Sequence, residues 1–277
     1  MLNDIYQGLD PIAFSLGPLV VRWYGLAYVL GFVCAAAIIY FVAKRWKLGM
    51  IADNLLTLMV CAIVGVVLGA RIGYVLFYGD GYYLSHPLEI LAFNQGGMSF
   101  HGGLVGLLIG GAVAARITRI PFLALADLGS IAAPVGLFFG RCANFVNGEL
   151  WGAPTDAAWG VVFGGAAGTM PRHPSQLYEA FLEGVVIFAV LYLLSRRMPP
   201  RPRGTFLGTF LVMYGCFRFL VEFVREPDAQ LGYLWGGWLT MGQLLSVPLI
   251  LVGAGVLVYA LVVKKPQKGL PEMKQSE

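Results

Sequence analysis

Seven long apolar stretches alternate with short polar joints along the chain, at about 19–41, 53–78, 99–117, 123–141, 176–195, 205–225 and 239–263. Each is close to the roughly 20 residues that a helix rising about 1.5 Å per residue needs to cross about 30 Å of hydrocarbon. The pattern predicts an all-α integral membrane fold of seven transmembrane helices, a single membrane-embedded domain over residues 1–263. The Lys-, Pro- and Gln-rich tail at 264–277 lacks the apolar residues for a core and is expected to be disordered. The Gly- and aromatic-rich joints at 79–98 and 142–175 are expected to form a small external, periplasmic cap of turns and short strands. Asp4 and Asp10 precede any Lys or Arg, so the first apolar stretch reads as a retained span rather than a cleaved signal.

Composition strengthens this reading. With 58% hydrophobic and 12% charged residues, the chain is too apolar to cover a soluble domain with charge. Its net charge of +4 does not point to nucleic acid, because the basic residues form short clusters between apolar runs. Lys44, Arg45 and Lys47 follow the first span, Arg116 and Arg119 the third, Arg196, Arg197, Arg201 and Arg203 the fifth, and Lys264, Lys265, Lys268 and Lys274 the seventh. All lie on one side, which the positive-inside rule places in the cytoplasm, so the N-terminus is expected outside and the C-terminus inside.

Six basic residues escape that rule: Arg22, Arg71, Arg141, Arg172, Arg218 and Arg225. All are arginines near the outer ends of spans or in outer loops. A charge at membrane depth is costly unless paired or hydrated, and a guanidinium fork suits phosphate, so each is a candidate site residue. The four cysteines, Cys34, Cys61, Cys142 and Cys216, show no metal or redox spacing and read as small core residues. No metal or cofactor is expected.

The candidate chemistry gathers in a few segments. GRCANFVNGELWG (Gly140 to Gly152) brings Arg141, Asn144, Asn147 and Glu149 together, with Arg141 and Asn144 on one face if the helix continues. YGCFRFLVEFVRE places Tyr214, Arg218, Glu222 and Arg225 along one predicted helical stripe, where Arg218 and Glu222 can pair at i, i+4. GGMSFHGG sets His101 among glycines at the start of the third span, where an imidazole can accept a proton near neutral pH. Tyr24 stands in WYG at the outer edge of the first span, and RHPSQLYE opens the fifth, where Glu179 and Glu183 lie one turn apart and at least one needs a donor. Several arginines at headgroup level suit an anionic lipid and a phosphate leaving group.

These segments, together with GARIGYVLFY from Gly69 and MGQLLSVP from Met241, resemble the prolipoprotein diacylglyceryl transferase family over nearly the whole chain. The resemblance implies transfer of the diacylglyceryl group of phosphatidylglycerol to the lipobox cysteine of a prolipoprotein in the bacterial inner membrane, forming a thioether and releasing glycerol phosphate. It also implies functional positions at Tyr24, His101, Arg141, Asn144, Glu149, Gly152, Tyr214, Arg218, Glu222 and Arg225. Within that frame His101 is the expected base, Arg141 and Arg218 hold the phosphate, and Glu222 orients Arg218. Cys142 stands where similar proteins usually carry a small or aliphatic residue, and the 153–171 stretch is shorter than in the longer relatives. Two other classes fit parts of the pattern. A lipid or small-anion transporter would use Asp127, Glu179 and Glu183 as an inward path. A serine hydrolase would use Ser99 with His101, although the glycine of a nucleophile elbow is missing.

Overall fold

The computed structural model describes residues 1–17, 19–92, 96–227 and 232–267. Seven helices in it are long and apolar enough to cross a membrane: Trp23–Arg45, Ala52–Tyr78, Phe100–Thr118, Phe122–Asn147, Ser175–Ser195, Thr205–Val224 and Met241–Val263. They match the seven apolar stretches and are called the first to seventh spans below. Their large apolar side chains are turned outward, as at Leu76, Phe77, Ile109 and Val262, which are 60–79% exposed. That is the reverse of a water-soluble protein and is the surface a bilayer covers. The protein is multi-pass and mostly helical, with one two-stranded sheet among the described residues.

That sheet is the first departure from the apolar pattern. Leu19–Arg22 is not the start of the first span but a strand, paired antiparallel with Ile12–Leu16 in a register that sets Ile12 opposite Arg22. Hydropathy cannot distinguish an apolar strand from the end of a helix, and the β-branched Val20 and Val21 favour the strand. Gly17, at φ +59°, supplies the turn. The first span therefore begins at Trp23 and carries Lys44 and Arg45 in its last turn. The fourth span runs past its expected end to Asn147, so Arg141 and Asn144 do share a helix.

The chain forms two compact units, one of Met1–Ile39 and Asp127–Pro266, the other of Tyr40–Ala126 with Gln267. In the second unit the second and third spans meet backbone to backbone. A Cβ on Gly106 would run into the Gly65 carbonyl, one on Gly102 into the Gly69 carbonyl, and one on Gly110 into the Cys61 carbonyl. Lipid offers no hydrophobic drive between helices, so this close approach supplies the association through dispersion. The joint at 79–98 contributes a helical turn, Tyr82–Ser85, and a 3₁₀ turn, Pro87–Leu91. Buried Arg71 holds it, donating to the carbonyls of Ile90 (2.8 Å), Gly96 (2.7 Å), Gly97 (3.1 Å) and Glu89 (2.5 Å).

In the first unit, the start of the sixth span is capped from another helix. Asp127 is fully buried and accepts from the backbone N–H groups of Gly204 and Leu207, both at 2.8 Å. It satisfies donors that a helix N-terminus leaves orphaned, in a place where water cannot. The seventh span starts with a capping box, the Thr240 hydroxyl and the Gln243 side chain each bonding the other's backbone N–H. A short helix, Leu2–Gln7, which the apolar pattern did not reveal, packs Tyr6 edge-on against Phe145 and Phe163. Lys268, Lys274 and the rest of the tail, and the Asp228–Gln230 part of the sixth motif, lie outside the described residues.

Candidate functional site

The fourth, fifth and sixth spans each contribute charges to one cluster in the first unit. Arg141 reaches across to the fifth span, its Nε 2.5 Å from Glu179 Oε2 and its Nη2 3.5 Å from Glu183 Oε2. Arg218 on the sixth span lies 3.4 Å from the other oxygen of Glu179 and 2.7 Å from Glu222, one turn further along its own helix. Glu179 thus bridges two arginines. Both guanidinium groups keep a small opening, with side-chain exposures of 15% and 14%. Tyr214, one turn before Arg218, feels the charges of Glu183, Arg141, Arg218 and Glu179.

Local backbone features make these meetings possible. The fifth span changes to π-helix over Ala180–Val186, a wider winding found often at functional sites, and Glu183 lies within it. Beside it Gly184 lets the fifth span press against the fourth, since a Cβ there would stand 2.7 Å from Phe138 Cβ. Gly242, in the first turn of the seventh span, does the same for Glu222, whose carboxylate atoms lie 2.6–2.7 Å from where its Cβ would be. The buried Glu222 carboxylate therefore sits at a helix N-terminus, where the dipole favours negative charge. This explains the glycine of the MGQLLSVP motif, which the sequence reading quoted but gave no role.

The predicted stripe of Tyr214, Arg218, Glu222 and Arg225 is helical only in part. The helix tightens to 3₁₀ over Glu222–Val224, and Arg225 is extended, forming an isolated bridge with Gly152. Pro227 follows two residues later and disfavours helix at Glu226, so the chain must leave the helix here. Arg225 is buried yet lies within the electrostatic reach of Arg218, Glu179, Glu222 and Arg141. Burial first, and then the Arg218 charge, draws it down from the usual guanidinium value.

Gly152 is explained by the same crossing. A Cβ at this position would stand 2.5 Å from the Val224 carbonyl oxygen and 2.6 Å from both Cβ and the carbonyl oxygen of His173, so only glycine fits between the sixth-span exit and the backbone at His173. Glu149 is held by Asn144 Nδ2 at 2.7 Å and Asn147 Nδ2 at 3.4 Å, and Gln176 on the fifth span donates to its backbone carbonyl at 2.7 Å. Tyr24, in the first turn of the first span, lies 3.2 Å from the Tyr28 hydroxyl and feels the charges of Glu149 and Arg141. The structure therefore gathers nine of the ten sequence-selected positions in the first unit. His101 belongs to the second unit, in the first turn of the third span, exposed and edge-on to Phe100.

Two of the six unexplained arginines have other work and a third lies at the surface. Arg71 binds loop carbonyls, Arg22 is exposed at the end of the hairpin, and Arg172 ties the 148–174 segment together through the carbonyls of Ala167 and Gly152 and through Glu226 at 2.8 Å. That segment is a run of turns with isolated bridges at Gly152, Pro154 and Val161 rather than short strands. His173 accepts from or donates to Tyr178 at 3.1 Å, and burial lowers its pKa from the ordinary histidine value. One residue of each alternative has a structural task. Asp127 is consumed as a helix cap, and the buried Ser99 is the N-cap of the third span, its Oγ accepting from Gly102 N–H. Among the described residues there is no group of three or more His, Cys, Asp or Glu side chains able to hold a metal.

Comparison with known proteins gives the family. A family model described as prolipoprotein diacylglyceryl transferase matches residues 11–259. A curated phosphatidylglycerol–prolipoprotein diacylglyceryl transferase from Geobacter sulfurreducens is 51% identical over 264 residues, covering 95% of this chain and 99% of the relative. Relatives of the same description from Oleidesulfovibrio alaskensis and Methylocella silvestris are 50% and 49% identical, each covering 92% of this chain and 95% of the relative. With its seven spans, its arginine-carboxylate cluster and identity of this extent along both units, the chain belongs to the prolipoprotein diacylglyceryl transferase family.

Proposed function

We propose that the protein transfers the diacylglyceryl group of phosphatidylglycerol to the lipobox cysteine thiol of a prolipoprotein signal peptide, the first step of lipoprotein maturation. The observation that carries the site assignment is the pair Arg141 and Arg218, joined by Glu179 and each part-open at one end of the spans. Two guanidinium forks held in fixed positions suit a phosphodiester better than a mobile lysine does. They would neutralise charge on the glycerol phosphate as it departs, which is where charge develops in the transition state.

The thiol attacks the glyceryl carbon bonded to the phosphate oxygen; the C–S bond forms as that C–O bond breaks. Because the nucleophile belongs to the substrate, no covalent enzyme residue is needed. A free thiol is only a few per cent thiolate at neutral pH, so a base accelerates the step, and His101 is the candidate for it. Glu222 orients Arg218 at 2.7 Å, while Tyr24, Asn144 and Tyr214 position the headgroup. Glu149 is set to hold Asn144, and Gly152 and Arg225 join the cap to the sixth span.

The positively charged joints support an N-terminus outside and a C-terminus inside the bacterial cytoplasmic membrane, with the arginine site toward the outer leaflet. The test is to incubate purified protein with phosphatidylglycerol and a lipobox peptide and to weigh the peptide by mass spectrometry. A diacylglyceryl mass gain, lost with Arg141→Ala, is expected; movement of labelled lipid without any thioether product would overturn the assignment in favour of transport. His101→Gln should lose turnover most strongly at low pH, and unchanged turnover across pH would remove it as base.

A further inference from the structure

The proposed mechanism leaves one buried charge at the site without a task. Glu183 has no exposed surface, its Oε2 meets Arg141 only at 3.5 Å, and its Oε1 has no hydrogen-bond partner among the described residues. The groups that act on it are Arg141 from the fourth span, Glu179 from its own, and Arg218 and Tyr214 from the sixth. Three arginines, Arg141, Arg218 and Arg225, are matched by three carboxylates, Glu179, Glu183 and Glu222, so these six charges sum to zero when all are ionised. A phosphodiester headgroup entering this cluster adds one negative charge that nothing offsets. An uncompensated buried charge is what a membrane interior tolerates least.

The three carboxylates are not held equally. Glu179 contacts two arginines at 2.5 and 3.4 Å, and Glu222 contacts Arg218 at 2.7 Å while lying at the start of the seventh span. Glu183 has the single long contact and is the cheapest to neutralise. We infer that Glu183 is a positioning residue that takes up one proton as the anionic headgroup binds, releasing Arg141 from the carboxylate to the phosphate. This rests on the proposed donor lipid. The proton enters from water with the lipid and leaves with the glycerol phosphate, while the proton of the attacking thiol passes through the base to water. Over a turnover one proton is taken in and one is given out, and Glu183 returns to its carboxylate as Arg141 swings back.

The test is calorimetric titration of the full-length protein in neutral detergent with a short-chain phosphatidylglycerol, in two buffers of different ionisation enthalpy. The wild-type protein should take up about one proton per lipid, and its Kd should rise about tenfold per pH unit on the alkaline limb. Glu183→Gln should bind with almost no proton uptake and with a Kd independent of pH, a change that a merely structural glutamate would not produce. Proton-free binding by the wild type, or an undiminished uptake by Glu183→Gln, overturns the inference. If Glu183→Gln does not fold, infrared difference spectra of ¹³C-glutamate-labelled wild type decide the matter: a protonated-carboxyl band on lipid addition supports it, and none refutes it. Failure of the wild type to bind phosphatidylglycerol at all instead refutes the donor assignment, and the inference falls with it.

Discussion

Replacing Gly242 by alanine should damage catalysis far more than folding. The new Cβ would stand 2.6 Å from Cδ and Oε1 of Glu222 and 2.7 Å from Oε2, where ordinary contact begins near 3.4 Å. The carboxylate must therefore retreat by about 0.8 Å. Because it is the free end of a side chain, it can do so without moving backbone, so the stability cost should stay in the lower part of the roughly 1–3 kcal/mol range of an overpacked core. The retreat stretches the 2.7 Å contact with Arg218, or drags the guanidinium away from the phosphate position. A hydrogen bond to a charged group contributes about 1.5–3 kcal/mol, which corresponds to a loss of about ten- to hundredfold in kcat/KM. Misplacement of a positioning group by about 1 Å has a similar reach. The assay is diacylglyceryl transfer to a lipobox peptide, followed by mass, alongside thermal unfolding in detergent. Adding Glu222→Asp, which shortens the side chain by one methylene, should recover part of the loss. A Gly242→Ala protein within about twofold of wild-type kcat/KM would refute the reasoning, since the carboxylate would then have moved without consequence.

Asp127→Ala should lower stability by about 2 kcal/mol, the upper end of the range for a lost cap, because two buried N–H groups lose their acceptor; thermal unfolding measures it, and Asp127→Asn should lose less. Arg71→Gln removes donors from four loop carbonyls and should expose the 79–98 joint to protease at concentrations that leave the wild type uncut. His173 has a lowered pKa in the fold, so its contribution is complete above the unfolded value of about 6.5 and is lost as pH falls through the folded value. The hydrogen-exchange protection factors of the Gly152 N–H, which donates to the His173 carbonyl, and of the residue-173 N–H, which donates to the Ala153 carbonyl, should therefore fall at acid pH, and a His173→Phe protein should lose that dependence.

The seven spans were legible because bilayer thickness fixes their length and because lipid-facing residues must be apolar over that whole length. The same measure failed at Leu19–Arg22, where four apolar or amphipathic residues adjoin a span but pair as a strand. Arg141, Asn144, Arg218 and Glu222 could be read from helical spacing, since i, i+3 and i, i+4 neighbours are local. Their partners could not. Nothing in the spacing says that Arg141 pairs with Glu179 on another helix, that the fifth span widens to a π-helix beside it, or that Arg71 and Arg172 are spent on loop carbonyls. A signal for Glu179 and Glu183 was present all the same: two buried acids one turn apart need donors, and the unassigned arginines were the available ones.

That pairing changes what the arginine surplus means. Counting only arginines suggests an electropositive pocket waiting for phosphate, but a bilayer does not permit unpaired guanidinium groups at rest, and each of Arg141 and Arg218 already has carboxylate partners. The two guanidinium groups are therefore ion-paired, with Glu179 and Glu222 fixing their directions, and on the proposed assignment they meet the headgroup in that almost neutral setting. On the proposed assignment such a site binds an anion by exchange as well as by attraction: Glu183 yields its contact with Arg141 as the phosphate gains one. Binding then depends on a lipid whose acyl chains stay in the membrane and supply affinity that the headgroup contacts no longer have to provide. A water-soluble phosphate ester lacks that second source, so glycerol phosphate, once cut from its chains, is poorly held and leaves.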